Sequence, residues 1–363
     1  NLNNNIEELL VLITSFYFKF SKCLINRRNS KNSRRDQLRN VNYGCHYCHT
    51  SEVTHRVFLN RLVGFLPFRV ESSRFVYSKL YFVFSTISVI IYLASVLCSV
   101  YTINFINESK DISITLHFNF LILFGPTIFI AAYVKSRSVI QAINRVSNVS
   151  YVLSPGIFRE IAKIIFVKDV LLSTPLLIFF PRIFFEQYIL HFVFWYTFVG
   201  PFMLIILYTN NVYVLNACFK HINDSLAKVK EVLVNDEPHL LRRVYHMQRN
   251  PMLLTKLRTL KKQHLEMSEV VQLLNHSFST QIELVLSLYF VDVTFNIYKY
   301  VALYSGTLKM ESFLSVLCYA ILYTAHIIVI VSFIEITKSQ IKKIGTNIHQ
   351  VLVHTFDEQV TTE

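Results

Sequence analysis

The run Cys45-His46-Tyr47-Cys48-His49 has the C-x-x-C-H spacing of covalent haem attachment, and its alternating thiols and imidazoles are also the donor types that hold Zn²⁺. Haem attachment belongs in an oxidising compartment, and zinc needs a second ligand pair, towards which only His55 is near. The run is therefore read as reduced cysteines in a basic tail, and no metal or cofactor is expected. The remaining cysteines, Cys23, Cys98, Cys218 and Cys318, are scattered and suggest no disulfide framework.

A second group of reactive side chains lies inside apolar runs. Lys168 and Asp169 are adjacent ionisable groups in one, and Asp292 is an isolated carboxylate in another. Charges at membrane depth are expensive and face protein or water. Tyr289, Asp292 and Asn296 recur at steps of three and four, which puts them on one helical face, as do His191 and Trp195. A pocket for a small hydrogen-bonding ligand uses such a lining, so Asp292, Asn296, Tyr289, His191 and Trp195 are the expected ligand-facing residues. The competing reading is that they pair with one another as structural glue. No Gly-rich phosphate loop, H-E-x-x-H or G-x-S-x-G motif occurs, and an enzyme is not expected.

The elements that must position these residues follow from composition. The 363 residues are 53% apolar and 14% aromatic, with only 7 glycines and 8 prolines. This is an all-α, polytopic membrane composition. Six spans are predicted at about 80–100, 117–134, 164–180, 191–208, 279–298 and 313–336. The first apolar run, 9–18, follows two glutamates and is too short to span, so no cleavable signal is read there. Of the 36 Lys and Arg, 31 fall in the four segments on one side of these spans, four in the three loops opposite, and Lys168 inside a span. The positive-inside rule then expects a cytoplasmic N-terminus at the plasma membrane. The net charge of +13 is a topology signal, and no nucleic-acid partner is expected. Asn107 is the one sequon in an external loop, hence the expected glycosylation site. Asn148, Asn223 and Asn275 are decoys on this topology.

Two heptad-like seams continue past the spans. Val212, Leu215, Phe219, Ile222, Leu226, Val229 and Leu233 form the first, and Leu253, Leu257, Leu260, His264, Met267, Val271, Leu274 and Phe278 the second. They predict an antiparallel pair of long helices around a turn at Asp236 and Pro238, standing in the cytoplasm. Leu257, Leu260, His264, Met267 and Val271 are the expected assembly residues, with polar His264 setting register. The organisation is thus a basic tail (1–79), spans one to four (80–211), the anchor (212–278), spans five and six (279–337) and a closing cytoplasmic segment (338–363). Gly125-Pro126 and Gly200-Pro201 are read as breaks in two spans, which keeps a transporter in view.

Three stretches resemble a known family. Arg61-Leu62-Val63-Gly64-Phe65-Leu66-Pro67-Phe68, followed by Tyr77-Ser78, resembles the R-h-h-G-h-h-P-F opening of insect gustatory receptors. Tyr208-Thr209-Asn210-Asn211-Val212-Tyr213, running into Phe219-Lys220-His221-Ile222-Asn223 and Leu226, is similar to the same family. So is the series Leu257-Arg258, His264-Leu265, Leu273-Leu274-Asn275, Phe278-Ser279 and Gln281. The resemblance covers roughly 56–363. It implies a seven-span subunit of a tetrameric ligand-gated cation channel, homomeric or heteromeric, in contact with membrane lipids and opened by a small-molecule tastant from outside. The family's seventh, pore-lining helix carries T-Y-h-h-h-h-h-Q-F, which has no counterpart here and is expected to be missing.

The function expected is a tastant-gated, non-selective cation channel subunit with its pocket in the outer half of the bundle. An insect odorant receptor subunit is the related alternative; a secondary transporter and a G-protein-coupled receptor are the alternatives of other classes.

Overall fold

The computed structural model describes residues 67–71, 74–106, 112–179, 188–235, 251–304 and 313–354. The Cys45/Cys48 run, Asn107 and the turn at Asp236 lie outside them. Among the described residues the chain is almost entirely helical, and five helical stretches are long and apolar enough to cross a membrane: Lys79–Phe105, Thr115–Val152, Tyr196–Glu231, Thr255–Ala302 and Ala320–His349. It is an all-α, multi-pass membrane protein.

The first elements are strands, in a region expected to be a basic tail. β1 (Phe68–Glu71) and β2 (Arg74–Tyr77) pair antiparallel, with Phe68 opposite Tyr77 and Glu71 opposite Arg74. Phe68 and Phe75 are buried and meet edge to face at 5.3 Å, while Arg69, Arg74 and Val76 are exposed. Two four-residue strands carry too short an alternation to stand out beside a helical period. An isolated hairpin is marginal in any case, and this one is held from outside itself, as described below.

Helix α1 (Lys79–Tyr101) ends in a π-helical turn, Thr102–Ile106. It buries one stripe, Ser85, Tyr92, Val96 and Ser99, and leaves Leu80, Val83, Ile87, Ile90, Ile91 and Leu97 exposed. A face of that kind fits a lipid solvent, in which apolar exposure carries no penalty and the backbone is satisfied within the helix. α2 (Ile112–Val149) leads through a 3₁₀ turn, Ser150–Val152, to α3 (Pro155–Phe179). α3 holds the third predicted span; it is not among the five most apolar stretches and carries Lys168 and Asp169.

α4 (Tyr188–Asn235), α5 (Pro251–Tyr304) and α6 (Phe313–His354) are the long helices. At 1.5 Å per residue they run about 72, 81 and 63 Å, well beyond the roughly 30 Å hydrocarbon core. The expected breaks at Gly125-Pro126 and Gly200-Pro201 do not occur, because α2 and α4 continue as helices through both prolines. Packing on neighbouring helices holds the chain helical where one backbone hydrogen bond is lost.

The seams are buried as their spacing predicts. Val212, Leu215, Phe219, Ile222, Leu226 and Val229 are all buried on α4, and Leu260, Met267, Leu274 and Phe278 on α5. Leu257 and Val271 pack half-buried at the edge of the same cluster. The anchor is more than a pair, however. α6 runs on past its span and joins it, burying Ile344 among Phe219, Leu260 and Met267, and α4 packs more extensively on α6 than on α5. Asn223 ties the two: its Nδ2 donates to the carbonyl of Gln340 at 2.9 Å and to Gln340 Oε1 at 3.0 Å, and its Oδ1 accepts from Asn347 Nδ2 at 3.1 Å. The signal for this third helix was Ile341, Ile344 and Ile348 at steps of three and four, a stripe of only three apolar residues among Lys, Gln and Asn.

Candidate functional site

Asp292 projects from α5 at the end of the bundle away from the hairpin, and α5 presents Tyr289, Asp292 and Asn296 on one buried face. The carboxylate is fully engaged. His117, one turn into α2, places Nε2 2.6 Å from Asp292 Oδ1, and Asn296 Nδ2 donates to Asp292 Oδ2 at 3.2 Å. Lys299 Nζ lies 2.9 Å from the other ring nitrogen of His117, Nδ1. An ammonium has only protons to offer, so Nδ1 accepts and Nε2–H donates to Asp292. The chain Lys299–His117–Asp292–Asn296 thereby assigns a neutral imidazole with its proton on Nε2. Phe295 stacks on the His117 ring at 4.7 Å.

Towards the middle of the bundle the lining becomes aromatic. Tyr289 packs on Tyr323 at 4.7 Å and on His326 at 5.6 Å, and Phe202 of α4 packs on His326 at 5.2 Å. His326 is 1% exposed. Among the described residues, neither of its ring nitrogens has a hydrogen-bond partner. The helix α4 passes His191 and Trp195, but their side chains lie outside those the structure describes.

Lys168 and Asp169 pair at 2.6 Å, as adjacent ionisable residues in a span should. Asn210 Nδ2 donates to Asp169 Oδ2 at 2.9 Å, and Lys168 Nζ reaches Thr209 Oγ1 at 3.3 Å. The Tyr208-to-Tyr213 motif thus supplies two groups that solvate this pair from α4.

A third polar junction joins α1, α2 and α4. The Tyr92 hydroxyl and Thr197 Oγ1 hydrogen-bond at 3.0 Å, pressed onto the backbone of α2 at Gly125. A Cβ at Gly125 would lie 2.5 Å from Thr197 Oγ1 and 2.6 Å from the Tyr92 oxygen. Only glycine permits this approach. At the other end of the bundle, Asn144 of α2 acts as a third strand for the hairpin. Its Nδ2 donates to the Phe75 carbonyl at 2.7 Å and its Oδ1 accepts from the Phe75 N–H at 2.9 Å. Arg137 lies 4.6 Å above the Tyr77 ring.

Sequence reading placed Tyr289, Asp292 and Asn296 together but missed His117 and His326. A histidine inside an apolar run is a signal in itself, and His326 was legible on that ground. His117 was not, because its meaning depends on Asp292 lying 175 positions away. Among the described residues no three His, Cys, Asp or Glu side chains come close enough to hold a metal.

Comparison with known proteins gives one positive finding, a family model described as 7tm chemosensory receptor that matches residues 57–361. No curated protein matches the chain.

Proposed function

Because the chain belongs to the 7tm chemosensory receptor family, we propose that this multi-pass membrane chemoreceptor is a gustatory receptor subunit that contributes to a tastant-gated, non-selective cation channel. The observation that carries the ligand-gated reading is the buried run of Tyr289, Asp292 and Asn296 on one face of α5, turned inward to α2 and α6. The taste assignment is supported by the R-h-h-G-h-h-P-F opening, whose Phe68 is the buried anchor of the hairpin.

In this reading the hairpin end faces the cytoplasm, in keeping with the distribution of bases, and the Lys299–His117–Asp292–Asn296 chain lies towards the outside. That chain frames the pocket. Tyr289, with His191 and Trp195, contributes the ligand-contacting surface. A tastant that binds the open arrangement more tightly shifts the closed-to-open equilibrium by that difference in affinity. The α4–α5–α6 extension, including His264, is the assembly region of a homo- or heterotetramer. The transporter alternative rested on broken helices and loses that support, since α2 and α4 run through their prolines.

Whole-cell recording from cells expressing the full-length receptor, with a tag on its N-terminus, tests the proposal. Tastant-evoked cation current with a tag reachable only after permeabilisation is expected. A tag exposed on intact cells would overturn the channel topology and point to a G-protein-coupled receptor, and ligand accumulation without current would point to a transporter.

A further inference from the structure

His326 is buried in the middle of the bundle with both ring nitrogens unpartnered among the described residues. A buried imidazole without a protein partner costs stability unless some other group hydrogen-bonds it. Its surroundings are aromatic. Tyr289 stacks on the imidazole with ring planes 28° apart, Phe202 tilts against it at 35°, and Tyr323 packs on Tyr289. Phe202 follows Pro201, which has no N–H for the carbonyl of Thr197.

We propose that His326 is the polar anchor of a binding site for a small, neutral, planar compound that is largely apolar and carries a single hydroxyl or carbonyl group. The inference rests on the chemoreceptor reading and names the ligand class of its pocket. The aromatic faces take a planar ring by stacking, and one imidazole nitrogen gives or accepts one hydrogen bond. A polyhydroxylated sugar would bring more donors and acceptors than one imidazole and the hydroxyls of Tyr289 and Tyr323 can satisfy, each one in excess left unpaired at a penalty. An ionised ligand has no free counter-charge, because Lys168, the cation whose field reaches His326, is paired with Asp169 at 2.6 Å. A metal is disfavoured by the single imidazole.

Phenol is the probe, with toluene as the isostere lacking the hydroxyl and glucose as the polyol. Thermal unfolding of the full chain in lipid nanodiscs, titrated with each, reads binding as a shift of the midpoint. Phenol should raise the midpoint saturably, toluene at equal concentration much less, and glucose not at all. Without ligand, His326→Phe should unfold at the same or a higher temperature than the parent, since it removes an unpartnered polar group, and should bind phenol roughly tenfold more weakly, the loss of one buried hydrogen bond. His326→Gln, which keeps a donor and an acceptor, should retain most of the phenol shift.

Equal shifts with phenol and toluene would mean partition into lipid and overturn the proposal, as would a glucose shift without a phenol shift. Failure of both variants to fold, or a lower midpoint for His326→Phe, would make His326 a satisfied structural residue. A stabilised His326→Phe in a chain that never responds to phenol would leave only water on the imidazole and also overturn the site. A phenol shift that depends on His326, in a receptor that passes no current, would uphold the site and refute the channel assignment.

Discussion

His117 Nε2 and Asp292 Oδ1 stand 2.6 Å apart, across the packed faces of α2 and α5. The contact joins residues 175 positions apart and leaves both almost wholly buried. Removing either partner breaks a buried hydrogen bond to a charged group, at a cost of about 1.5–3 kcal/mol. Asp292→Leu and His117→Leu alone should therefore each lower the thermal midpoint, and the double variant, which also removes the contacts of Lys299 and Asn296, should lose clearly less than the sum of the singles. If the double variant is as unstable as the sum of the singles, the two side chains do not act as a pair.

Gly125→Ala should destabilise the α1–α2–α4 junction by about 1–3 kcal/mol, as overpacking does in a close-packed interior. The new methyl meets Thr197 Oγ1 and the Tyr92 hydroxyl below 3 Å. Adding Thr197→Ala removes two of the three clashing atoms and should restore part of the stability. Equal midpoints for parent and Gly125→Ala would show that the helices separate freely there.

Asn144→Ala removes both hydrogen bonds to the Phe75 backbone. Two such bonds contribute about 1–3 kcal/mol together, and the effect should be local. Hydrogen exchange at the Phe75 amide should accelerate by one to two orders of magnitude while amides within α4 stay unchanged. Asn144→Asp should behave similarly, since a carboxylate accepts from the Phe75 N–H but cannot donate to its carbonyl. Unchanged exchange in both variants would remove Asn144 from its role as a third strand.

In the extension, Met267 is 1% exposed and Leu265, two positions earlier, is 56% exposed. Met267→Ala should cost about 2–5 kcal/mol of subunit stability, since its partners are Phe219, Leu260 and Ile344 in the same chain. Leu265→Asp should leave the subunit midpoint nearly untouched and reduce oligomer yield on size exclusion. His264, half-buried with its ring 6.3 Å from that of Phe219, lies between these cases. His264→Leu should alter oligomer yield more than ligand sensitivity, and equal yields for parent and variant would count against a register role.

Much of this architecture was legible from local pattern. Apolar runs are read without tertiary knowledge because length against bilayer thickness is a one-dimensional test. The seams from Val212 to Val229 and from Leu257 to Phe278 were equally legible, because helical geometry alone decides which side chains share a face. The same rule joined Tyr289, Asp292 and Asn296. What no local pattern contains is the partner. Asp292 is equally a ligand group or structural glue until His117 is brought to it from another helix, and His326 is an ordinary histidine until its ring nitrogens prove to have no hydrogen-bond partner among the described residues. The prolines show the same limit from the other side. Pro126 and Pro201 break helices by local chemistry, yet both helices continue, because the neighbouring helices packed on Gly125 and Phe202 hold the backbone in place. Which face a helix presents is encoded within one or two turns. What that face meets depends on the long-range packing of the whole bundle.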